Sequence, residues 1–141
     1  LDNQNSEIGM GSVGTLKQEM TEKYFLKWLG QKLEINFLRH SPFLNRKIKK
    51  VAVLGGSGSY AIPNAKEINA DVLVTAALKY HDFFQAENQI FLVDGGHYET
   101  ERFTKKLIHD HLIEKLPKFA IALSKSITNP VNYFYNGKNT Y

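Results

Sequence analysis

The sequence predicts an α/β fold with three layers, in which helices cover both faces of a mainly parallel sheet. Three apolar runs have the length and composition of buried strands, at residues 50–54, 71–75 and 90–93. Segments with helical spacing and short loops separate the three runs. Strands that alternate with helices over short connections indicate parallel neighbours in one sheet.

The composition is that of one ordinary globular domain, and we expect a single domain over residues 1–141. The 141 residues are 43% hydrophobic and 23% charged. Residues 1–8 are polar, and we expect them to be disordered. Because the chain has no Cys, disulfides, thiolate zinc ligands and Cys nucleophiles are excluded. The first residue is Leu1 rather than Met, so we expect the chain to be a piece of a longer protein.

Charge and hydropathy favour a cytoplasmic protein that binds neither membrane nor nucleic acid. The apolar runs are too short to span a bilayer, and the first residues lack the pattern of a signal peptide. The net charge is +4, and much of it lies in the cluster Arg-Lys-Ile-Lys-Lys at residues 46–50. We interpret this cluster as a solvated strand entry, because charge alone does not identify a nucleic-acid partner.

The first third of the chain predicts a glycine-rich edge, a helix and a short strand. Residues 9–14 contain three glycines and predict a strand edge or a turn. Thr21 is a suitable N-cap for the next helix. A short strand is expected at residues 35–38, followed by a turn in which His40 is an ordinary loop histidine. The apolar face of the helix is expected to contain Phe25, Trp28, Leu29 and Leu33.

The remaining elements follow from spacing and from the positions of proline. A helix is predicted at 60–68 with Pro63 in its first turn, and a short helix at 79–86. A fourth strand is predicted at 119–123 and an edge strand at 131–135. A long amphipathic helix is predicted at 98–116, ended by a proline. Its buried face is expected to contain Phe103, Leu107, Ile108, Leu112 and Leu116.

The stretch Asp-Gly-Gly-His-Tyr-Glu-Thr-Glu, at residues 94–101, is the main candidate for a functional site. It follows a buried strand and opens a helix, and open α/β sheets bind their ligands at such strand ends. His97 and Glu101 are four residues apart, which places both on one face of a helix. An imidazole and a carboxylate suit a metal ion such as zinc or iron. The alternative is that the acid only stabilises the first helical turn, and two ligands cannot close a metal site.

A glycine-rich loop follows the first buried strand and has three possible roles. It matches the dinucleotide pattern G-x-G-x-x-A, but the next strand ends in Thr75 without the acid that would hold a ribose. The second possibility is a tight turn that needs small residues. The third is a loop that lines a pocket shared with His97. The candidate pocket residues in this loop are Gly55, Gly56, Ser57 and Gly58.

The end of the second buried strand supplies further candidates. Lys79 and His81 follow it and are expected to face the same sheet edge as His97. We expect Lys79 and His81 to line the pocket, and in a hydrolase His81 would be the catalytic proton carrier. The alternative is that His81 is a structural or surface histidine. Asp82 either orients His81 or serves as a first-turn acid.

Taken in order, the motifs resemble one protein family. They lie at residues 9–14, 51–59, 70–75, 79–82, 94–101 and 128–131. Together the motifs resemble the C-terminal half of the GTP cyclohydrolase I type 2 homologues, also called NIF-three-like proteins. Two departures from the family pattern are Ala77, where many members have an acid, and Ser12, where members often have Arg.

The resemblance implies two similar α/β halves with a dinuclear metal site between them, assembled into toroidal hexamers. His97 and Glu101 match the C-terminal metal ligands of the family, and the carboxylate is able to bridge both ions. The remaining family ligands, a His pair and an Asp, lie in an N-terminal half that this chain lacks. The resemblance therefore implies two divalent ions, zinc or iron, completed by ligands outside this chain.

The expected function is that of a metal-dependent hydrolase that acts on a purine nucleotide such as GTP. The fragment alone is expected to be inactive, with a homohexamer formed by the full-length protein and a small-molecule nucleotide as a possible ligand. A different class of function is a metal-binding scaffold or regulatory protein without turnover. A third is a nucleotide-binding module that uses Gly56 and Gly58.

Overall fold

A computed structural model describes residues 9–134 of the chain. The chain divides into two compact units, Leu1–Arg102 and Phe103–Tyr141. The expected disorder of residues 1–8 lies outside the described residues, and the single domain stays a prediction. Among residues 9–134, no helix has the length and apolar character needed to cross a membrane.

The first unit contains a five-stranded mixed sheet in the order β1-β3-β4-β5-β2. The two central pairings, β3–β4 and β4–β5, are parallel, whereas β1–β3 and β2–β5 are antiparallel. The expectation of a mainly parallel sheet was therefore wrong, because both edge strands run against their neighbours. The strands are β1 Ser12–Thr21, β2 Arg39–His40, β3 Lys47–Ser57, β4 Val72–Ala76 and β5 Phe91–Asp94.

The central strands are buried on both faces, as their continuous apolar runs predict. All five residues of β4 and all four of β5 are buried. Alternate side chains enter two clusters: Leu73 and Leu92 pack in one, and Val74 and Val93 in the other. Apolar clusters therefore lie on both faces of the sheet, while the three-layer arrangement stays a prediction.

The first helix, α1 Glu22–Leu33, begins where its cap residue predicts. The hydroxyl of Thr21 accepts a hydrogen bond from the backbone N–H of Tyr24 at 3.3 Å. Phe25 and Leu29 are buried against the sheet. The short strand expected at 35–38 lies instead at β2, and its His40 ring packs against aromatic neighbours.

Two helical segments follow the first two parallel strands. The predicted helix at 60–68 is a 3₁₀ turn, Ser59–Ala61, that leads into α2 Ile62–Glu67, with Pro63 in the first turn. The predicted helix at 79–86 is a 3₁₀ helix, Tyr80–Ala86. Both segments are short, because left-handed residues at Asn69 and Glu87 end them.

The long helix predicted at 98–116 is two helices, α3 His97–Glu101 and α4 Thr104–Lys115. The division into compact units falls between them, after Arg102. The apolar residues of α4 are exposed, so the expectation that they are buried was wrong. Helical spacing identifies an apolar face, but burial also requires a surface that covers it. The exposed residues are Phe103, Leu107, Ile108, Leu112 and Leu116.

The strands predicted after α4 do not form in the described part of the second unit. Residues 119–123 and 131–134 have no regular secondary structure, and residue 135 lies outside the described residues. An apolar run forms a strand only where a neighbouring strand supplies hydrogen-bond partners. Composition alone therefore overestimated the strand content of this region.

Candidate metal centre at the end of the central strands

His97 and Glu101 form the centre of the candidate site. Both lie on α3, and the Nε2 atom of His97 is 3.2 Å from the Oε2 atom of Glu101. Gly96 precedes the helix with a φ of 84°, a backbone conformation that favours glycine. The two side chains are 57% and 51% exposed, so a ligand from outside this unit has access to both.

Gly56 in the loop at the end of β3 lies directly against this pair. A Cβ atom at Gly56 would be 2.3 Å from Oε1 of Glu101 and 3.2 Å from Nε2 of His97. Its φ of 67° also favours glycine. At Gly55, a Cβ atom would be 3.3 Å from the carbonyl oxygen of Thr100. The glycine loop and α3 therefore meet, and a side chain at Gly56 would occupy the space that Glu101 uses.

Two threonines fix the Gly56 backbone, and the sequence patterns did not identify either of them as site residues. The backbone N–H of Gly56 donates to Oγ1 of Thr100 at 3.0 Å. The hydroxyl of Thr75, buried at the end of β4, donates to the carbonyl oxygen of Gly56 at 3.2 Å. A hydroxyl at the end of an apolar strand is the sequence signal for Thr75, but its partner lies 19 residues away in the sequence.

The contacts of the glycine loop disfavour a dinucleotide site. Gly58 is buried, and a Cβ atom there would be 2.2 Å from Oγ1 of Thr75. Close packing against the sheet therefore explains this glycine. Ser57 is exposed. Without bound metal ions, the Glu101 carboxylate against Gly56 would repel a phosphate, which disfavours a dinucleotide site formed by the glycine loop alone.

His81 and Lys79 lie where the sequence placed them, after β4, but their roles stay predictions. His81 is exposed, and its ring centroid is 5.1 Å from that of Tyr80 and 6.4 Å from that of Phe84. The carboxylate of Asp82 accepts a hydrogen bond from the backbone N–H of Lys79 at 2.7 Å. Asp82 is therefore the first-turn acid of the 3₁₀ helix, one of its two predicted roles.

The donor set suits a zinc-like or iron-like ion but is only part of a site. Among the residues that the structure describes, no group of three or more His, Asp or Glu side chains could hold a metal ion. An imidazole nitrogen and a carboxylate oxygen are suitable donors, yet a protein site normally needs three or four ligands. The pair thus fits the group that the resemblance implies, provided that further ligands come from elsewhere.

Two cavities of the described residues are separate from the His97–Glu101 pair. A cavity of about 490 Å³ is lined mainly by apolar residues, including Pro42, Leu44 and Phe84. A second, of about 440 Å³, is bordered by Lys66 and Glu67. His97 and Glu101 do not line either of these two cavities.

Curated relatives share sequence similarity with most of this chain. The GTP cyclohydrolase 1 type 2 homolog of Bacillus subtilis is 37% identical over 137 residues, which cover 91% of this chain and 35% of the relative. The protein of the same name in Staphylococcus epidermidis is 35% identical over 135 residues, with 93% and 37% covered. The chain therefore spans little more than a third of the length of these relatives.

Solved structures and a family model support the same relationship. A hypothetical protein of Staphylococcus aureus matches with a TM-score of 0.81 and 31% identity, covering 89% of this chain and 43% of that one. A Bacillus cereus protein related to NIF3 matches with a TM-score of 0.76 and 33% identity, covering 95% and 38%. The model of the family Duf34/NIF3 (NGG1p interacting factor 3) matches residues 2–130. With a match over most of its length, the chain belongs to the Duf34/NIF3 family.

Proposed function

We propose that this chain contributes His97 and Glu101 as one wall of a dinuclear metal site in a metal-dependent hydrolase. The substrate class that we propose is a purine nucleotide such as GTP. The observation that carries the proposal is the exposed His97–Glu101 pair, 3.2 Å apart and backed by a glycine. The names of the relatives, GTP cyclohydrolase 1 type 2 homolog, support the substrate class.

The two side chains have complementary roles in this proposal. His97 offers Nε2, the atom that now lies against Glu101, as a neutral ligand. Glu101 has Oε2 toward His97 and Oε1 toward Gly56, and its carboxylate would be the second ligand from this chain. Two bound divalent ions, zinc or iron, would supply an activated hydroxide and polarise the substrate.

Other residues of this chain are proposed to assist the His97–Glu101 pair. His81 is the proposed proton carrier, and Lys79, Gly55 and Ser57 are proposed to line the site with Gly56 and Gly58. The missing ligands are proposed to come from a part of the protein outside this chain. A homohexamer in the cytoplasm is the proposed state of the full-length protein.

Metal analysis of the natural full-length protein tests the metal site. Four proteins would be loaded with Zn²⁺ and desalted: wild type, His97→Ala, Glu101→Gln and the control His111→Ala. The zinc content per chain would then be measured by elemental mass spectrometry. His111 is exposed on α4 and serves as a matched histidine. We expect wild type and the control to retain two ions per chain and the two site variants to lose at least one. Equal metal content in all four proteins would contradict the proposal.

Turnover separates the hydrolase from the metal-binding scaffold. The metal-loaded full-length protein would be incubated with GTP and the products followed by chromatography. We expect product from wild type and from His111→Ala, and none from His97→Ala. Stoichiometric metal without product from any nucleotide tested would favour the scaffold.

A further inference from the structure

Asp94 is a buried carboxylate that joins three separate segments of the first unit. It is the last residue of β5, and its side chain is 5% exposed. Its Oδ2 atom accepts hydrogen bonds from Nη1 of Arg39 at 3.1 Å and from the backbone N–H of Leu78 at 3.1 Å. Its Oδ1 atom accepts one from the backbone N–H of Gly96 at 3.0 Å. Both oxygens are therefore used, by an edge strand and by two loops.

The two loops held by Asp94 carry the candidate site residues. Gly96, with a φ of 84°, directly precedes His97. Leu78 follows Ala77, whose φ of 55° is unfavourable for a residue with a side chain, and it precedes Lys79. A residue in this conformation persists only where its surroundings hold it. The hydrogen bonds of Asp94 hold the backbone at Leu78, directly before Lys79, and at Gly96, directly before His97.

Arg39 completes the connection. Its Nη2 atom donates to the carbonyl oxygen of Leu78 at 3.0 Å, while Nη1 donates to Asp94. The N–H and the C=O of Leu78 are thus both held by the Arg39–Asp94 pair. Arg39 is also the ion-pair partner of the buried Asp94 carboxylate. Removing the partner of a buried charge is strongly destabilising.

We propose that Asp94, supported by Arg39, is a positioning residue that fixes His97 relative to the loop carrying Lys79 and His81. The positioning of a metal ligand rests on the proposed function, whereas the connection between the loops stands on its own contacts. Residues that do not bind the metal orient its ligands through hydrogen bonds. Loss of such a hydrogen bond typically weakens metal binding by about 10- to 100-fold.

The test variant is Asp94→Asn, which keeps the size of the side chain. Its amide oxygen can still accept from Gly96, but its NH₂ group then faces two donors, Leu78 N–H and Arg39. We expect faster hydrogen–deuterium exchange in peptides covering residues 76–82, and Zn²⁺ binding by the full-length protein weakened by about 10- to 100-fold. Arg39→Lys keeps the charge and cannot bond both partners in the same way, so we expect a smaller change in the same direction.

Glu22→Gln is the matched control for a merely structural effect. Glu22 is also a buried carboxylate, 4% exposed, and accepts from the backbone N–H groups of Leu44 at 2.8 Å and Asn45 at 3.0 Å. These contacts precede β3, at the opposite end of the parallel strands from Gly56. We expect Glu22→Gln to lower stability without changing Zn²⁺ affinity or exchange at residues 76–82.

The outcomes separate this proposal from the proposed function. If wild type binds no Zn²⁺, the metal site is wrong, and hydrogen exchange in Asp94→Asn still decides whether Asp94 connects the loops. If wild type binds Zn²⁺ and Asp94→Asn changes neither affinity nor exchange, the positioning role is overturned. Should Asp94→Asn fail to fold, Arg39→Lys decides by the same two measurements. An equal loss of affinity in Glu22→Gln would also overturn the role.

Discussion

Gly56 shows how the candidate centre depends on a single residue type. Its backbone occupies a left-handed conformation, and the space where a side chain would lie is taken by Glu101 and His97. The sequence offered three interpretations of the glycine loop, and the geometry assigns different reasons to different glycines. Gly56 leaves room for the carboxylate, whereas Gly58 allows close packing against Thr75. Each position therefore predicts a different consequence of substitution.

Gly56→Ala should displace Glu101 and weaken metal binding. The new methyl group would lie 2.3 Å from Oε1 of Glu101, and the left-handed backbone adds a cost of about 1–2 kcal/mol. Urea unfolding and Zn²⁺ titration of the full-length protein would measure both effects. The control is Gly14→Ala in β1, where a Cβ atom meets nothing within 4 Å. Equal Zn²⁺ affinity in the two variants would show that Gly56 does not border the metal site.

Glu19 provides a prediction of pH dependence at the residue scale. A hydrogen bond from Lys47 and the charge of Lys47 lower the pKa of Glu19, and Lys49 contributes less. Because the folded-state pKa is depressed, the stabilisation is present above the unfolded-state pKa. It is lost as the pH falls through the folded-state pKa.

Lys47→Met should therefore raise the pKa of Glu19 toward its ordinary value. Lys49→Met should raise it less, because only its more distant charge is removed. Titration of the Glu19 carboxyl carbon resonance by NMR would measure both shifts. An unchanged pKa in Lys47→Met would mean that the ion pair does not form in solution.

At the scale of elements, the sequence predicts those features that are determined by residues close together in the chain. The runs of β4 and β5 predict their own burial, and the cap of α1 is set by Thr21 and Tyr24, three residues apart. The spacing of His97 and Glu101 is equally local. The antiparallel edges, and the contacts of Thr75 and Asp94, depend on residues distant in the sequence, so a local pattern could not identify them. The break after α3 likewise has no clear signal in the apolar spacing.

The exposure of α4 gives a matched test at this scale. Leu107 on α4 is 70% exposed, and Leu29 on α1 is 8% exposed. We expect Leu29→Ala to lower the free energy of unfolding by about 2–5 kcal/mol, the range for a buried leucine. We expect Leu107→Ala to change it by no more than about 0.5 kcal/mol, as at most surface positions. Urea unfolding of this chain would measure both, and a large effect of Leu107→Ala would show that α4 is covered in solution.

At the scale of the whole molecule, the proposed metal site contains only two donors from the described residues. The chain spans 35–37% of the length of its curated relatives, and the described residues bring together two metal donors rather than three. The resemblance implies that the other ligands lie in an N-terminal half, which residues 1–141 do not include. Sequence patterns could identify His97 and Glu101 as a pair of candidate donors because the two residues share one turn of helix. They could not identify the further ligands that the proposed site requires.

This chain alone should therefore bind Zn²⁺ weakly and without a defined stoichiometry. The two donors that residues 9–134 bring together would leave a zinc ion with open positions for water or a buffer molecule. Isothermal titration of residues 1–141, beside His97→Ala, would measure the binding. We expect a shallow curve for both, and a difference between them only in the full-length protein. Tight binding with one ion per chain that His97→Ala abolishes would contradict this expectation. If that tight binding weakened on dilution as dimers dissociated, a second copy of the chain would be the source of the missing ligands.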